Sequence, residues 1–212
     1  MNQSTIYDIS PVIGPKTAVF PGDQKFNRSI SLSFNKGNNL TLSSINSTLH
    51  IGAHTDAPIH YHPDGDSIDK RSLDIYIGDT QVIELNLCKK ERITPEHIKS
   101  TKLLATRVIF KTNSFPNPNQ WNDDFNSLSP ELIKYLHQKN VILVGIDTPS
   151  VDPANDQELL AHNEIYQSNM AILEGITLDN VPAGVYKLIA LPLKIEGADA
   201  SPVRAILIKG NI

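Results

Sequence analysis

Apolar positions along this chain cluster in short runs set between polar, proline-rich and asparagine-rich stretches. QVIELNL (81–87), TRVIFKT (106–112), VILVGI (141–146), VYKLIAL (185–191) and VRAILIK (203–209) are β-branched and partly alternating, the pattern of strands. VILVGI is the most continuously apolar and is expected to lie deepest. TPEHIKS (94–100) and SPELIKYLHQKN (129–140) each open on a hydroxyl cap followed by proline, and both predict helices. In the second, Leu132, Ile133 and Leu136 form an apolar stripe. A third helix is expected from about Gln157 through ELLAHNEIYQSNMA, with Asn155 and Asp156 as caps. FPNPNQWNDDFNS (115–127) reads as a long irregular loop, and no internal repeat is visible. Strands mixed with helices predict an α/β or α+β class, and 212 residues suit one domain spanning 1–212.

Composition narrows the function classes. The hydrophobic fraction of 40% and charged fraction of 20% are those of a globular protein. A net charge of -4, with no basic cluster longer than Lys89–Lys90, gives no footprint for a phosphate backbone, so nucleic acid is not an expected partner. The start, MNQSTIYDISPVIGP, has no basic flank leading into an apolar stretch, and no long apolar run follows elsewhere. Export and membrane spanning are therefore not expected, and a cytoplasmic location is. Cys88 is the only cysteine, so a disulfide within the chain and a thiolate zinc cluster are both ruled out. In VIELNLC it reads as a core filler.

The chemistry concentrates in HIGAHTDAPIH (50–60), which holds three of the seven histidines. His50, His54, Asp56 and His60 all fall on even positions, which a strand would turn to one face. On a helix Asp56 would leave the face of His50 and His54, and Gly52 and Pro58 would weaken it. A straight strand would separate the Cα atoms of His50 and His54 by about 13 Å, whereas a histidine holds a metal only about 6 Å from its own Cα. A bend near Gly52 is thus required, with Pro58 closing a turn toward His60. A chance gathering of surface or hydrogen-bonded core histidines is the bland alternative. Four potential ligands so close together favour a metal or catalytic site, with zinc the leading ion and manganese the alternative. His62, followed by PDGD, is expected to be solvated or to support a ligand from behind.

The segment resembles the H-x-G-x-H-x-D-A-P-x-H motif of cyclase-like metal hydrolases, and within them the bacterial kynurenine formamidases (arylformamidases). FPGD (20–23), STLHIGAHTDAPIHYH (47–62), LVGIDTPSVDP (143–153), MAILEGITLDNVPAGVYKLIALPLK (170–194) and GADASPVRAIL (197–207) carry the resemblance in order across nearly the whole chain. It implies a swivelling β/β/α fold with a mixed sheet and flanking helices. It also implies two zinc ions held by His50, His54, Asp56, His162 and Glu174, with His60 as proton donor and acceptor. Taken alone, His162 would pass as an ordinary helix-surface histidine and Glu174 as a glutamate at an element's end. Phe20 stands where the family usually has tryptophan in W-P-G-D, a position that contacts substrate, so stacking is expected to differ.

The activity implied is hydrolysis of N-formyl-L-kynurenine to kynurenine and formate in tryptophan degradation, by metal-activated water, in a homodimer. Two alternatives stand beside it: a related amidohydrolase acting on another cyclic or aryl amide such as isatin, and a metal-binding protein without turnover. No G-x-S-x-G elbow or nucleotide loop competes. Asp147, Thr148 and Ser150 follow the VILVGI strand as weaker candidates for lining a pocket. Asp199, Ser201 and Arg204 are expected to order a turn rather than to fix a substrate carboxylate.

Overall fold

All five expected strand segments contribute to one seven-stranded mixed sheet in the computed structural model, which describes residues 4–210. In chain order the strands are β1 (Thr5–Asp8), β2 (Asn27–Leu32), β3 (Leu42–Asn46), β4 (His54–Asp56), β5 (Ile77–Glu84), β6 (Arg92–Ile93) and β7 (Arg107–Lys111). They continue as β8 (Ser127–Leu128), β9 (Leu143–Ile146), β10 (Ala171–Leu173), β11 (Gly184–Ile189), β12 (Ala200–Pro202) and β13 (Ile206–Lys209). The helices are α1 (Pro130–Gln138) and α2 (Leu160–Gln167). The large sheet runs β1-β13-β11-β5-β7-β9-β10, parallel from β5 to β10 and antiparallel from β5 back to β1. Three two-stranded pairs stand apart from it: β4 with β12, β2 with β3, and β6 with β8.

Alternation decides what each face of the sheet carries. Val108, Phe110, Val144, Ile146 and Ile172 point to the side covered by α1 and α2, where they meet Leu132, Ile133, Leu136, Ala161 and Ile165. The residues between them, Ile109, Leu143, Ala171 and Leu173, point the other way into a second core with Ile9, Ala53, Tyr76 and Leu207. Strands β7 and β9 are buried on both faces, which explains why TRVIFKT and VILVGI read as almost unbroken apolar runs. The described residues include no helix long and apolar enough to cross a membrane.

Several expectations are corrected. TPEHIKS forms one turn of 3-10 helix, Pro95–Ile98, because the Thr94 and His97 side chains close a capping box and no further turn propagates. The third helix begins at Leu160, not Gln157. Asp156 caps only the turn before it, accepting from the amides of Glu158 and Leu159, while the helix amides of Ala161 and His162 donate to Asp152. VRAILIK is strand only from Ile206 onward. Cys88 is exposed, since β5 ends at Glu84 and the alternation does not carry on through the following turn.

Candidate metal centre

Three pieces of backbone build the site. The first is the turn from His50 to Gly52 that leads into β4. Gly52 takes φ +58°, the left-handed bend that the histidine spacing required, and the carbonyl of Gly52 lies 2.8 Å from His54 Nδ1. That contact leaves Nε2 of His54 free to point into the site. Pro58 then opens a 3-10 turn that ends at His60.

The second piece is the C-terminal end of β10. Glu174 follows Leu173 directly, and its amide and carbonyl exchange hydrogen bonds with those of His54. Gly175, at φ +62°, has its α-carbon so close to Gly52 that an added Cβ would stand 2.0 Å from the Gly52 carbonyl oxygen. Thr55 fastens β4 to β10 from behind, its hydroxyl donating to the Ile172 carbonyl at 2.5 Å.

The third piece is the start of α2, which carries His162. Asp152, fully buried, holds this ring: His162 Nδ1 lies 2.8 Å from an Asp152 oxygen, and Arg92 binds the other oxygen at 3.1 Å. His162 Nε2 is thereby turned toward Asp56 and Glu174.

Asp56 is the hub. His50 Nδ1 lies 2.9 Å and His54 Nε2 3.6 Å from its Oδ1, and His162 Nε2 lies 3.4 Å from its Oδ2. Glu174 approaches His54 Nε2 at 3.2 Å and His162 Nε2 at 3.9 Å. The structure thus brings all five expected ligands together, in two overlapping groups, His50–His54–Asp56 and Asp56–His162–Glu174.

The donor set fits a divalent cation. Asp56 Oδ1 is buried, with imidazole nitrogens of His50 and His54 at 2.9 and 3.6 Å and no backbone or hydroxyl donor. An orphaned carboxylate oxygen facing imidazole nitrogens and a second carboxylate, far from solvent, is costly without a cation between them. Electrostatics agree. Burial alone would depress His50, but Asp56 and then Asp199 outweigh it and push it up to about 9. Burial likewise opposes the charge on His162, yet Asp152 and Asp56 push it up to about 10. Asp56 itself is buried, but His50 and His162 hold it well below the usual carboxylate range. In the metal-free protein, protons on these rings balance the carboxylates that a cation would otherwise neutralise.

His60 lies beside the ligand His50, and with His50 and Asp199 it forms a third group of donor atoms close enough to hold a cation. Its ring is 36% exposed, stacks obliquely on His50 at 4.1 Å between centroids, and is pushed down from its usual value by burial. It lines, with the five ligands, a cavity of about 460 Å³ that opens beyond the C-terminal ends of β9 and β10. Clefts at that end of parallel strands are the usual ligand sites of α/β folds. Phe20, 46% exposed, forms part of the cavity wall and meets Trp121 edge-on at 5.2 Å. The irregular 115–127 loop thus supplies an aromatic partner for Phe20 that the sequence alone did not single out.

Three of the other candidates find structural work, and Thr148, expected beside the pocket, is instead buried outside the cavity lining with its hydroxyl donating to the Ser150 carbonyl. Asp147 and Ser150 line the cavity, but Asp147 spends its buried carboxylate on the amides of Thr112 and Asn113 and on the Thr112 hydroxyl. Ser201 bonds the backbone of Leu193 and Pro202, and Arg204 pairs with Asp8 at the surface. Asp199 differs from the turn-ordering expectation, since its Oδ2 lies 3.0 Å from His50 Nε2 and 3.8 Å from His60 Nδ1. His62 stacks on Tyr166 at 3.8 Å, away from the ligand cluster.

Residues 7–153 match the family model described as "Putative cyclase". The chain belongs to this cyclase family. Among solved structures it is similar to one titled a potential metal-dependent hydrolase with cyclase activity, at 25% identity and TM-score 0.86, covering 99% of this chain and 100% of that one. It is also similar to a predicted metal-dependent hydrolase from Bacillus stearothermophilus, at 26% identity and TM-score 0.82, covering 97% and 98%. Isatin hydrolase A from Labrenzia aggregata, bound to benzyl benzoate, shares the fold at 23% identity and TM-score 0.85, covering 98% and 94%. The chain is thus a mixed α/β member of the cyclase family whose His, Asp and Glu groups could hold a metal ion.

Proposed function

We propose that this cyclase-family protein is a metal-dependent hydrolase of aryl amides, with N-formyl-L-kynurenine as its substrate and kynurenine and formate as products. The observation that carries the reading is the convergence of His50, His54, Asp56, His162 and Glu174 at the floor of a cavity walled by Phe20 and Trp121. These five side chains would hold two ions, zinc being the cation their nitrogen and carboxylate donors suit best, with manganese the alternative. Bound there, such cations supply Lewis acidity toward a carbonyl and acidify water.

The chain's own residues do the rest. Phe20 and Trp121 offer ring faces and edges to the aryl group and keep it dry. His60 accepts a proton from the water that attacks the formyl carbon, then returns it to the aryl nitrogen as the C–N bond breaks. The leaving amine needs that proton because an anilide anion departs poorly. Burial pushes the His60 ring down from its usual value, which favours the neutral form that can accept a proton. Asp23, on the cavity rim, offers a carboxylate to the substrate ammonium.

A second reading has its own support. No lysine or arginine lines the cavity among the described residues, so a substrate carboxylate would meet no ammonium or guanidinium group of this chain there. A neutral cyclic amide such as isatin fits that lining, and isatin hydrolases share the fold. The deciding experiment strips the protein with chelator, restores zinc or manganese, and compares turnover of N-formylkynurenine with that of isatin. Metal-restored turnover of the first supports the proposal; turnover of isatin alone moves the assignment to the second reading; turnover of neither leaves only a metal-binding protein. We further propose a homodimer, supported by the β2–β3 hairpin, which exposes Ile30, Phe34, Leu42 and Ile45 and would be marginal unpacked.

A further inference from the structure

We propose that Asp199 is a positioning residue whose single carboxylate oxygen orients both His50, as a metal ligand, and His60, as the proton carrier. The inference rests on the metal-dependent hydrolase reading above and adds to it a group outside the five ligands and the acid/base.

Backbone geometry fixes where Asp199 sits. It immediately precedes β12, which pairs with β4 so that Ala200 faces Asp56. The Asp199 carbonyl accepts from the Ala57 amide at 2.8 Å, and the Ala57 carbonyl accepts from the His60 amide at 2.9 Å. Asp199, Asp56 and His60 are therefore held on one hydrogen-bonded unit, and their relative positions do not depend on long side chains.

The side chain then reaches two rings at once. Asp199 Oδ2 lies 3.0 Å from His50 Nε2 and 3.8 Å from His60 Nδ1. A hydrogen bond from Nε2–H of His50 fixes the tautomer that leaves Nδ1, 2.9 Å from Asp56, as the metal-facing nitrogen. At 3.8 Å the same oxygen is outside hydrogen-bond reach of His60 Nδ1, but its charge favours a proton on that nitrogen and leaves Nε2 to handle the proton of the reaction. A carboxylate that orients an imidazole in this way is the arrangement by which a histidine base is held in its working tautomer.

A purely structural reading explains less. The Asp199 side chain is 50% exposed, and water would satisfy it without any protein partner. Folding therefore does not require it to face two imidazoles of the same cavity.

The experiment compares metal-loaded wild type, Asp199→Asn and Asp199→Ala on two substrates, with metal content measured for each. One is an anilide, formanilide, whose leaving nitrogen must be protonated. The other is 4-nitrophenyl formate, whose leaving group departs unprotonated. The expected result is a kcat loss of about 10-fold to 100-fold on the anilide, with KM changed less than about twofold. The ester, which needs His60 for the attacking water but not for its leaving group, should lose clearly less than the anilide at full metal content. Equal losses on both substrates, or full anilide activity in Asp199→Ala, would overturn the role at His60. Nitrogen NMR of the imidazoles reads the tautomers without turnover: His60 should carry its proton on Nδ1 in wild type and lose that preference in Asp199→Ala. An unchanged tautomer, or a cation found bonded to Asp199 itself, overturns the proposal even if neither substrate is hydrolysed, an outcome that would separately refute the hydrolase reading.

Discussion

His54 and Glu174, 120 residues apart in the chain, are joined twice: their backbones exchange hydrogen bonds of 3.0 and 2.9 Å, and their side chains meet at 3.2 Å. This bridge seats the histidine-bearing strand on the end of the parallel sheet, so two of the proposed ligands are placed by main chain rather than by flexible side chains. It depends on Gly175 passing the Gly52 carbonyl without a side chain.

Gly175→Ala should therefore break the site. A methyl group there would sit 2.0 Å from the Gly52 carbonyl oxygen on a backbone already at φ +62°. The expected cost is at least about 2 kcal/mol of stability, from clash and left-handed strain together. Thermal denaturation of the metal-free protein checks it; a melting temperature equal to wild type would show that β4 does not need this contact.

Asp152→Asn should weaken metal binding while leaving the fold in place. Asp152 holds His162 Nδ1 at 2.8 Å, and supporting carboxylates of this kind change metal affinity by about 10-fold to 100-fold. Competition with a chromophoric chelator measures it. Wild-type affinity in the variant would mean that His162 needs no such support.

The metal-free protein should be most stable in mildly acidic solution. His50 and His162 are raised from 6.5 to about 9 and about 10, so their stabilisation is complete below about 6.5 and is lost as pH rises through those values. Asp56, Asp152 and Asp199 are depressed from 3.8, so their contribution is present above that value and is lost as pH falls below it. His60, pushed down by burial, loses stability as pH falls below about 6.5, so urea midpoints should peak toward the upper end of the window between about pH 4 and 6.5. Binding of a cation displaces the imidazole protons, so the stabilisation by added zinc should grow from pH 6 to pH 8. A zinc effect that shrinks over this range would contradict protonated rings in the metal-free state.

The histidine run was legible because alternate spacing, a glycine at the only workable bend and a proline before His60 are local signals. The membership of His162 and Glu174 was not local. Each lies more than a hundred residues from His54, and only the resemblance to a family carried them. Strands β4, β10 and β12 have three residues each, too short to show alternation, so the pairings that assemble the site could not be read from pattern. Asp152 stood in the quoted LVGIDTPSVDP block but was not singled out; the rule that a metal-bound histidine takes a carboxylate behind it could have pointed there. Cys88 misled because alternation in VIELNLC persists past the residue at which the strand ends.

Phe20→Ala should raise KM for an aryl amide by about 5-fold to 10-fold with little change in kcat, since it removes one edge-on aromatic partner of Trp121 and no proton-carrying group. Phe20→Trp should lower KM or leave it unchanged. Steady-state kinetics decide, and a kcat loss greater than the KM rise would place Phe20 closer to the reacting atoms than the cavity wall.

The central claim is that five side chains hold two cations in overlapping groups that have Asp56 in common, and anomalous diffraction at the zinc edge from crystals grown with zinc tests it most directly. The expected result is two peaks, each within about 2.0 to 2.2 Å of ligand atoms, one among His50, His54 and Asp56 and one among Asp56, His162 and Glu174. A map with no peak among these residues, or with the strongest peak elsewhere on the chain, would contradict the account.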